Sequence, residues 1–276
     1  MSSSQLVSDS RERDFAAGHA IAELEFELAG GDASLLTATE REPLIGELAA
    51  LDRAFAELAK LEVREVLELG CGLGTLLIPL LRRGLWVTGL DLQREAVDSC
   101  RRRVAACGLS TRIDHGDART LTAETEYDAA LLMRGLLSLL PGEDAQLEAL
   151  RRARRAVRPG GLVIVDHRNL LAMWSVFGRK LLRRELLADG RELELGRQAT
   201  IISFEGRVHE RRWARLGERL YEQHDHLRIT TVSETGSLLR RAGLDVVHVE
   251  AHPIEALYGS NADDPSHVWL VARRPS

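Results

Sequence analysis

From residue 62 to residue 168 the chain switches repeatedly between two periodicities, and nothing else in it constrains the fold as much. "EVREVLEL" reads as a strand that runs into glycines, and "GTLLIPLLRRG" as a helix closed by Gly84. "LWVTGLD" is a second strand, followed by the helix "REAVDSCRRRVAACG", closed by Gly108. "TRIDHGD" gives a short third strand and turn, and "YDAALLM" a fourth strand. "EDAQLEALRRARRAVRPGG" is a helix stopped by Pro159 and two glycines, and "LVIVDHR" is a fifth strand. Strands alternating with helices of this length imply parallel βαβ units and a doubly wound α/β sheet.

The flanks read differently. Residues 1–10 are Ser-rich and expected to be disordered. Residues 11–60 read as two or three helical pieces, broken at Gly30-Gly31, with Asp32 or Thr37 as the next cap. Residues 171–197 read as helix. Thereafter "QATIISFEG", "RVHERRWARL" and "RLYEQHDHLRITT" are strand-like, separated by Gly206 and Gly217, as in an antiparallel insertion. "SETGSLLRRAG" reads as a helix capped by Ser233 and closed by Gly243, and "LDVVHVEA" and "HVWLVARR" as closing strands. The expected organisation is an N-terminal helical cap (1–59), a Rossmann-like core (60–170), a substrate-side insertion (171–230) and a C-terminal completion of the sheet (231–276).

Composition narrows the class. A chain of 276 residues, 45% hydrophobic and 29% charged, can bury a substantial core. Its formal net charge of −5 argues against nucleic acid as partner, since phosphate neutralisation needs a basic footprint. The arginine run Arg151, Arg152, Arg154, Arg155 and Arg158 fits a solvated helix face, because Leu147, Leu150, Ala153 and Val157 form the apolar stripe. Three cysteines (Cys71, Cys100 and Cys107) and no secretory apolar region point to a reducing, cytoplasmic setting. Cys100 and Cys107 are expected to share a packed helix face. No run of 18 apolar residues occurs, so no membrane span is expected. A homo-oligomer is compatible with all of this.

An open parallel sheet binds ligands at the carboxyl ends of its strands. The glycines at 70, 72 and 74 follow the first strand there, in a G-x-G-x-G pattern preceded by Glu68. A dinucleotide site would show G-x-G-x-x-G, and a Walker loop would end in Gly-Lys-Ser/Thr; neither is present. The second strand ends in Asp91, placed to accept from ribose hydroxyls, and the third leads to Asp117-Ala118, placed to meet an adenine amine and ring nitrogen. Glycine turn, ribose acid and adenine acid thus occur in strand order. This set resembles the class I S-adenosylmethionine-dependent methyltransferases, small-molecule branch, whose first motif is matched by Glu68, Gly70, Gly72 and Gly74. The resemblance extends over about residues 60–275. It implies a Rossmann-like seven-stranded sheet with the last strand antiparallel, S-adenosylmethionine as cofactor and S-adenosylhomocysteine as product. Glu68 is expected to orient the cofactor's ammonium group. Cys71, Leu92 and Met133, which flank these positions, complete the expected cofactor-binding set.

The acceptor is less strongly written. The fourth strand ends "LLMRGLL", without the Asn/Asp-Pro-Pro-aromatic motif of exocyclic-amine methylation. The fifth ends in Asp166, His167, Arg168 and Asn169. A similar Asp-His-Arg-Asn run marks the same strand end in glycine N-methyltransferases. That resemblance implies that Arg168 clamps a substrate carboxylate and that Asn169 orients the amine or carboxylate. The competing reading is that these residues only fix the loop. Arg134 stands where those enzymes have an asparagine, and reads as a second anion clamp or a partner for Asp166. Trp174 and Phe177 form an i, i+3 pair that would wall a larger substrate, or simply pack. His167 and His224 are the candidate general bases, with His226 alternating beside His224 and Tyr221 nearby as a substrate contact. No metal is expected; Asp225 would face away from His224 and His226. Phe15, Phe26 and the N-terminal helices are read as a lid. The expected activity is methylation of a small molecule, leaning to the nitrogen of an amino acid or related carboxylate-bearing amine. O-methylation of a phenolic or carboxylate metabolite and a non-catalytic, cofactor-binding regulatory protein are the alternatives.

Overall fold

The computed structural model describes residues 38–170, 172, 177–186, 190–252 and 267–276. After α1 (Ala38–Leu58), the chain alternates through β1 (Glu65–Leu69), α2 (Leu77–Arg82), β2 (Trp86–Asp91), α3 (Arg94–Ala106), β3 (Ile113–His115) and β4 (Tyr127–Leu132). It continues through α4 (Leu136–Leu139) and α5 (Glu143–Ala156) into β5 (Val157–Arg168). These strands, with β10 (Asp245–His252) and β11 (His267–Arg273), build a seven-stranded sheet in the order β10-β11-β5-β4-β1-β2-β3. Only β11 runs antiparallel to its neighbours, β5 and β10. The crossover order follows from the helical connections, since a parallel neighbour needs a helix to return the chain.

Strand alternation divides the core in two. Val66, Leu131, Ile164 and Trp269 pack with α1–α3 on one face, while Leu67, Leu132, Val165 and Leu270 pack with α5 and α6 (Val232–Arg241) on the other. Cys100 is fully buried in the first core and Cys107 packs against it, as expected. The arginine run, on α5 and at the start of β5, behaves as a paired polar face. Arg152 bonds Glu148 at 2.7 Å, Arg155 pairs with Glu124, and Arg158 reaches Asp128 at 2.6 Å, while Leu147, Leu150, Ala153 and Val157 are buried.

A second, antiparallel sheet has the order β6-β7-β8-β9: β6 (Lys180–Leu186), β7 (Glu192–Ile202), β8 (Arg207–Leu216) and β9 (Arg219–Arg228). This corrects the helical reading of 171–197, because Lys180–Leu186 is an edge strand paired residue by residue with β7. "KLLRREL" consists of good helix formers, but ladder pairing with β7 overrides local propensity. Its Lys and Arg side chains also suit an exposed edge. A second correction concerns α6. Its cap is Thr231, not Ser233: Thr231 Oγ1 accepts from Glu234 N at 3.1 Å, and Glu234 Oε2 accepts in return from Thr231 N at 2.6 Å. The lid residues Phe15 and Phe26, the breaks and caps read at residues 30–37, and Trp174 lie outside the described residues.

The second sheet sits against the carboxyl edge of the first. Leu139, the last residue of α4, and Leu170, just beyond β5, pack with Ala199, Val208 and Leu227 on its inner face. Arg207 donates to Pro141 O at 2.8 Å and Arg228 to Gln146 at 2.7 Å, fastening it to the α4–α5 region.

Candidate functional site

The β1 strand ends in a turn that only glycines can trace. Gly70, Gly72 and Gly74 have φ of +70°, +52° and +78°. Gly70 N and Cys71 N donate to Leu90 O at 2.7 and 3.1 Å, tying the turn to β2. Asp91 holds it from the side: one carboxylate oxygen accepts from Gly72 N at 2.8 Å and the other from Gln93 N at 2.9 Å. A Cβ on Gly74 would lie 2.7 Å from Cys100 Sγ, whereas one on Gly72 would meet nothing within 4 Å. Gly74 is therefore a packing glycine, and Gly72 faces open space. Arg103, buried on α3, also braces the turn, with Nη1 donating to Leu73 O at 3.2 Å. The reading of the sequence missed it. The signal was its spacing, three residues after Cys100 on the apolar face.

Glu68 lies beneath this turn, only 3% exposed, and its Oε2 has no hydrogen-bond partner among the described residues. Burial, reinforced by Cys100, Glu47 and Asp91 and opposed by Arg134, holds its carboxyl well above the usual carboxylate range. A buried oxygen without a donor is a strong preference for a cationic or N–H partner. Cys71 and Met133 are buried on the same side, whereas Leu92 is 55% exposed beside Asp91, leaving apolar surface at the carboxyl edge. Asp117 caps a short turn at Ala118–Thr120, accepting from Arg119 N at 2.8 Å and from its guanidinium Nε at 2.9 Å. The Arg119 hydrogen bond is the main reason its carboxyl lies below the ordinary range. Its oxygens thus already have a charged partner in the protein.

At the end of β5 the four-residue run splits between the two sheet faces, because side chains alternate. Asp166 points with Ile164 and Glu68 toward the α1–α3 face. There His267 on β11 meets it, Nδ1 lying 2.9 and 3.1 Å from the two carboxylate oxygens. His167 points the other way, is 3% exposed, and shares a 3.0 Å hydrogen bond between Nδ1 and Thr235 Oγ1 on α6. Burial lowers its pKa to about 4. The catalytic expectation for His167 is therefore corrected: it packs under the opposite face from Glu68. Arg134, in the left-handed region at φ +54°, pairs with Glu47 of α1 at 3.2 Å rather than bonding Asp166 directly, although its charge reaches both Asp166 and Glu68. Asn169 follows on the loop, half-buried, its carbonyl accepting from Ala172 N at 3.2 Å.

Arg168 reaches across to the second sheet, where its Nη1 lies 3.3 Å from Glu210 of β8. Glu210 is 1% exposed and also pairs with Arg197 of β7. Burial opposes its ionisation, but Arg168, Arg197 and Arg212 outweigh it and bring its pKa to about 2. Burial, aided by the neighbouring Arg168, lowers the pKa of Arg197. Instead of presenting an open fork to a ligand, Arg168 already faces an internal carboxylate, which the reading of the sequence did not anticipate. Tyr221 and His224 separate as well. Tyr221 packs with Leu193, Ala214 and Leu216, whereas His224 lies on the reverse face, its Nδ1 3.0 Å from His209 Nε2. The rings of His209 and His226 stack at 4.8 Å, and Asp225 faces the inner side, bonded to Arg212 at 3.1 Å. His224 is thus turned away from the face that packs on Leu139 and Leu170, and the expectation of a base there is corrected.

Comparison with known proteins agrees with this geometry. Residues 66–161 match the family described as "Methyltransferase domain". The cypemycin N-terminal methyltransferase of a Streptomyces species is 28% identical over 38% of this chain, a match spanning only 42% of that relative's length. The ubiquinone biosynthesis O-methyltransferase of Azoarcus sp. (strain BH72) is 24% identical over 76% of this chain and 78% of its own. Among solved structures, S-adenosylmethionine-bound CalS10, an amino pentose methyltransferase from Micromonospora echinaspora, shares the fold at a TM-score of 0.66. It is 19% identical, with 92% of this chain and 96% of that one covered. The matched methyltransferase domain over residues 66–161, the glycine turn over a buried glutamate whose Oε2 has no partner among the described residues, and the seven-stranded sheet support a class I S-adenosylmethionine-dependent methyltransferase.

Proposed function

We propose that the chain methylates the nitrogen of a small amine bound at the carboxyl edge of β4 and β5, under the inner face of the second sheet. The observation that carries this reading is the set of side chains sharing one face of that edge: Glu68, Met133, Asp166, Arg168 and His267. S-adenosylmethionine, when bound, supplies an electrophilic methyl group on a sulfonium. Gly72 leaves room for a close backbone approach, and Glu68 Oε2 accepts from the cofactor's ammonium group, which satisfies its vacant valence and favours its ionised form. Asp91 keeps the turn in shape while retaining lone pairs for hydroxyl donors. Leu92 offers an apolar contact for the nucleoside. Asp117 contributes to adenine only through the oxygen lone pairs that Arg119 leaves.

Because Arg168 is tied to Glu210, a carboxylate on the acceptor is an added contact rather than the anchor. The narrower amino-acid reading rests on the Asp-His-Arg-Asn run alone. A second reading, O-methylation of a phenolic or carboxylate metabolite, is favoured by the relative named as an O-methyltransferase, whose match spans most of both chains. The two are separated by following S-adenosylhomocysteine release from pools of amino acids, other small amines and phenols, with Arg168→Ala alongside. The proposal expects amines to react. It expects Arg168→Ala to raise KM selectively for any carboxylate-bearing acceptor. Inert amines with reactive phenols would replace N-methylation by the second reading.

A further inference from the structure

We propose that His267, oriented by Asp166, is the general base that removes the proton from the methyl acceptor; this rests on the small-molecule methyl-transfer reading above. The antiparallel last strand brings the pair together. Because β11 runs against β5, its first residue, His267, lies opposite Arg168, at the carboxyl edge where the other parallel strands also end. His267 thereby joins the face that carries Glu68, Met133 and Asp166, while His167 is turned to α6 and His224 to the far side of the second sheet.

The chemistry of the pair is directional. Asp166 is 2% exposed and accepts from His267 Nδ1 through both oxygens, which fixes the tautomer with the proton on Nδ1 and the lone pair on Nε2. Among the described residues, both hydrogen bonds of His267 are made through Nδ1. Burial opposes ionisation of Asp166, but His267, Arg134 and Arg168 prevail and keep it a carboxylate. That carboxylate stabilises the imidazolium formed when Nε2 takes a proton. Asp166 is the charged group bonded to the ring; Arg168 from β5 and Arg134 after β4 act on that carboxylate, and His167 responds to the charge of His267. The β10 residue paired with His267 in the sheet is His252. In the reaction, an N–H bond of the acceptor ammonium breaks and its proton bonds to Nε2. The electron pair left on nitrogen then forms the new bond to the methyl carbon, as the carbon–sulfur bond breaks with its electrons staying on sulfur. Solvent finally takes the proton from Nε2.

An ion pair that merely staples β5 to β11 would show none of the following. The full chain, His267→Gln and Asp166→Asn are compared in kcat from about pH 5.5 to about pH 9 with the best acceptor from the amine and phenol pools. Binding of S-adenosylhomocysteine and the nitrogen-15 titration of the His267 ring are measured alongside. The proposal expects wild-type kcat to rise through one ionisation and level off. His267→Gln should lose that limb and about 10²- to 10⁴-fold in kcat, with cofactor-product affinity held within twofold. Asp166→Asn should lower kcat while leaving cofactor-product affinity within twofold. A His267→Gln enzyme within threefold of wild type, with the same pH limb, overturns the proposal. If His267→Gln loses S-adenosylhomocysteine binding through misfolding, the wild-type ring decides. Adding acceptor to the S-adenosylhomocysteine complex must move the midpoint of His267, and an unmoved midpoint overturns the base. Wild type inert on both pools overturns the small-molecule reading and the base with it, whereas turnover that survives His267→Gln overturns the base alone.

Discussion

Three glycines that look equivalent in the sequence do different work. Gly72 and Gly74 both need positive φ, which costs an L-residue about 1–2 kcal/mol. Only at Gly74 would a Cβ also strike Cys100 Sγ, at 2.7 Å. Gly74→Ala should therefore lose about 2–4 kcal/mol of unfolding free energy, with Gly72→Ala losing about 1. Gly72→Ala should instead weaken cofactor binding. Urea unfolding and calorimetric titration of the two variants check this, and equal stability losses would contradict it. His167 makes a second prediction at this scale. Its folded pKa is depressed to about 4, so the native state holds it neutral while the unfolded chain protonates near the ordinary value of about 6.5. Its contribution to stability is complete above that value and is lost as pH falls toward 4, amounting to about 3 kcal/mol. Denaturant unfolding of wild type and His167→Gln between neutral and acid pH should show wild type losing more. Parallel curves would count against a packed, neutral His167.

Elements were legible where their pattern and their tertiary role agreed. β1, β2, β4 and β5 were readable because each is a largely apolar run, and α2, α3 and α5 because each carries one apolar stripe. β6 was not, since "KLLRREL" satisfies a helix locally and becomes a strand only by pairing with β7. The site followed the same rule. Glu68, the glycines and Asp91 are adjacent in sequence or separated by one βα unit, so their order pointed to the one turn where the structure brings them together. His267 and Glu210 reach the site only through an antiparallel register and a second sheet, which single-chain spacing does not encode. Glu210 on β8 holds that sheet's charged band together, bound to Arg197 and facing Arg168 and Arg212. Removing its charge leaves buried guanidinium groups uncompensated, so Glu210→Gln should cost about 3–5 kcal/mol. Adding Arg197→Met should recover part of that loss. A double-mutant cycle on unfolding free energies measures the coupling, and additive losses would contradict the account of the band.

At the scale of the whole molecule, a sheet buried on both faces offers its carboxyl edge, and the second sheet covers part of that edge through Leu170, Arg168 and Arg207. The proposed cofactor end is at β1 and β2 and the proposed acceptor end at β4, β5 and β11, and Arg134 acts electrostatically on both Glu68 and Asp166. The central claim is that the turn at Glu68, Gly72 and Asp91 is where S-adenosylmethionine is held. Calorimetric titration of S-adenosylhomocysteine into wild type and Asp91→Ala tests it most directly. The account predicts saturable one-to-one binding to wild type and a loss of about 10- to 100-fold in affinity on removing a carboxylate that accepts charge-assisted bonds. Equal affinity in the two proteins would contradict it.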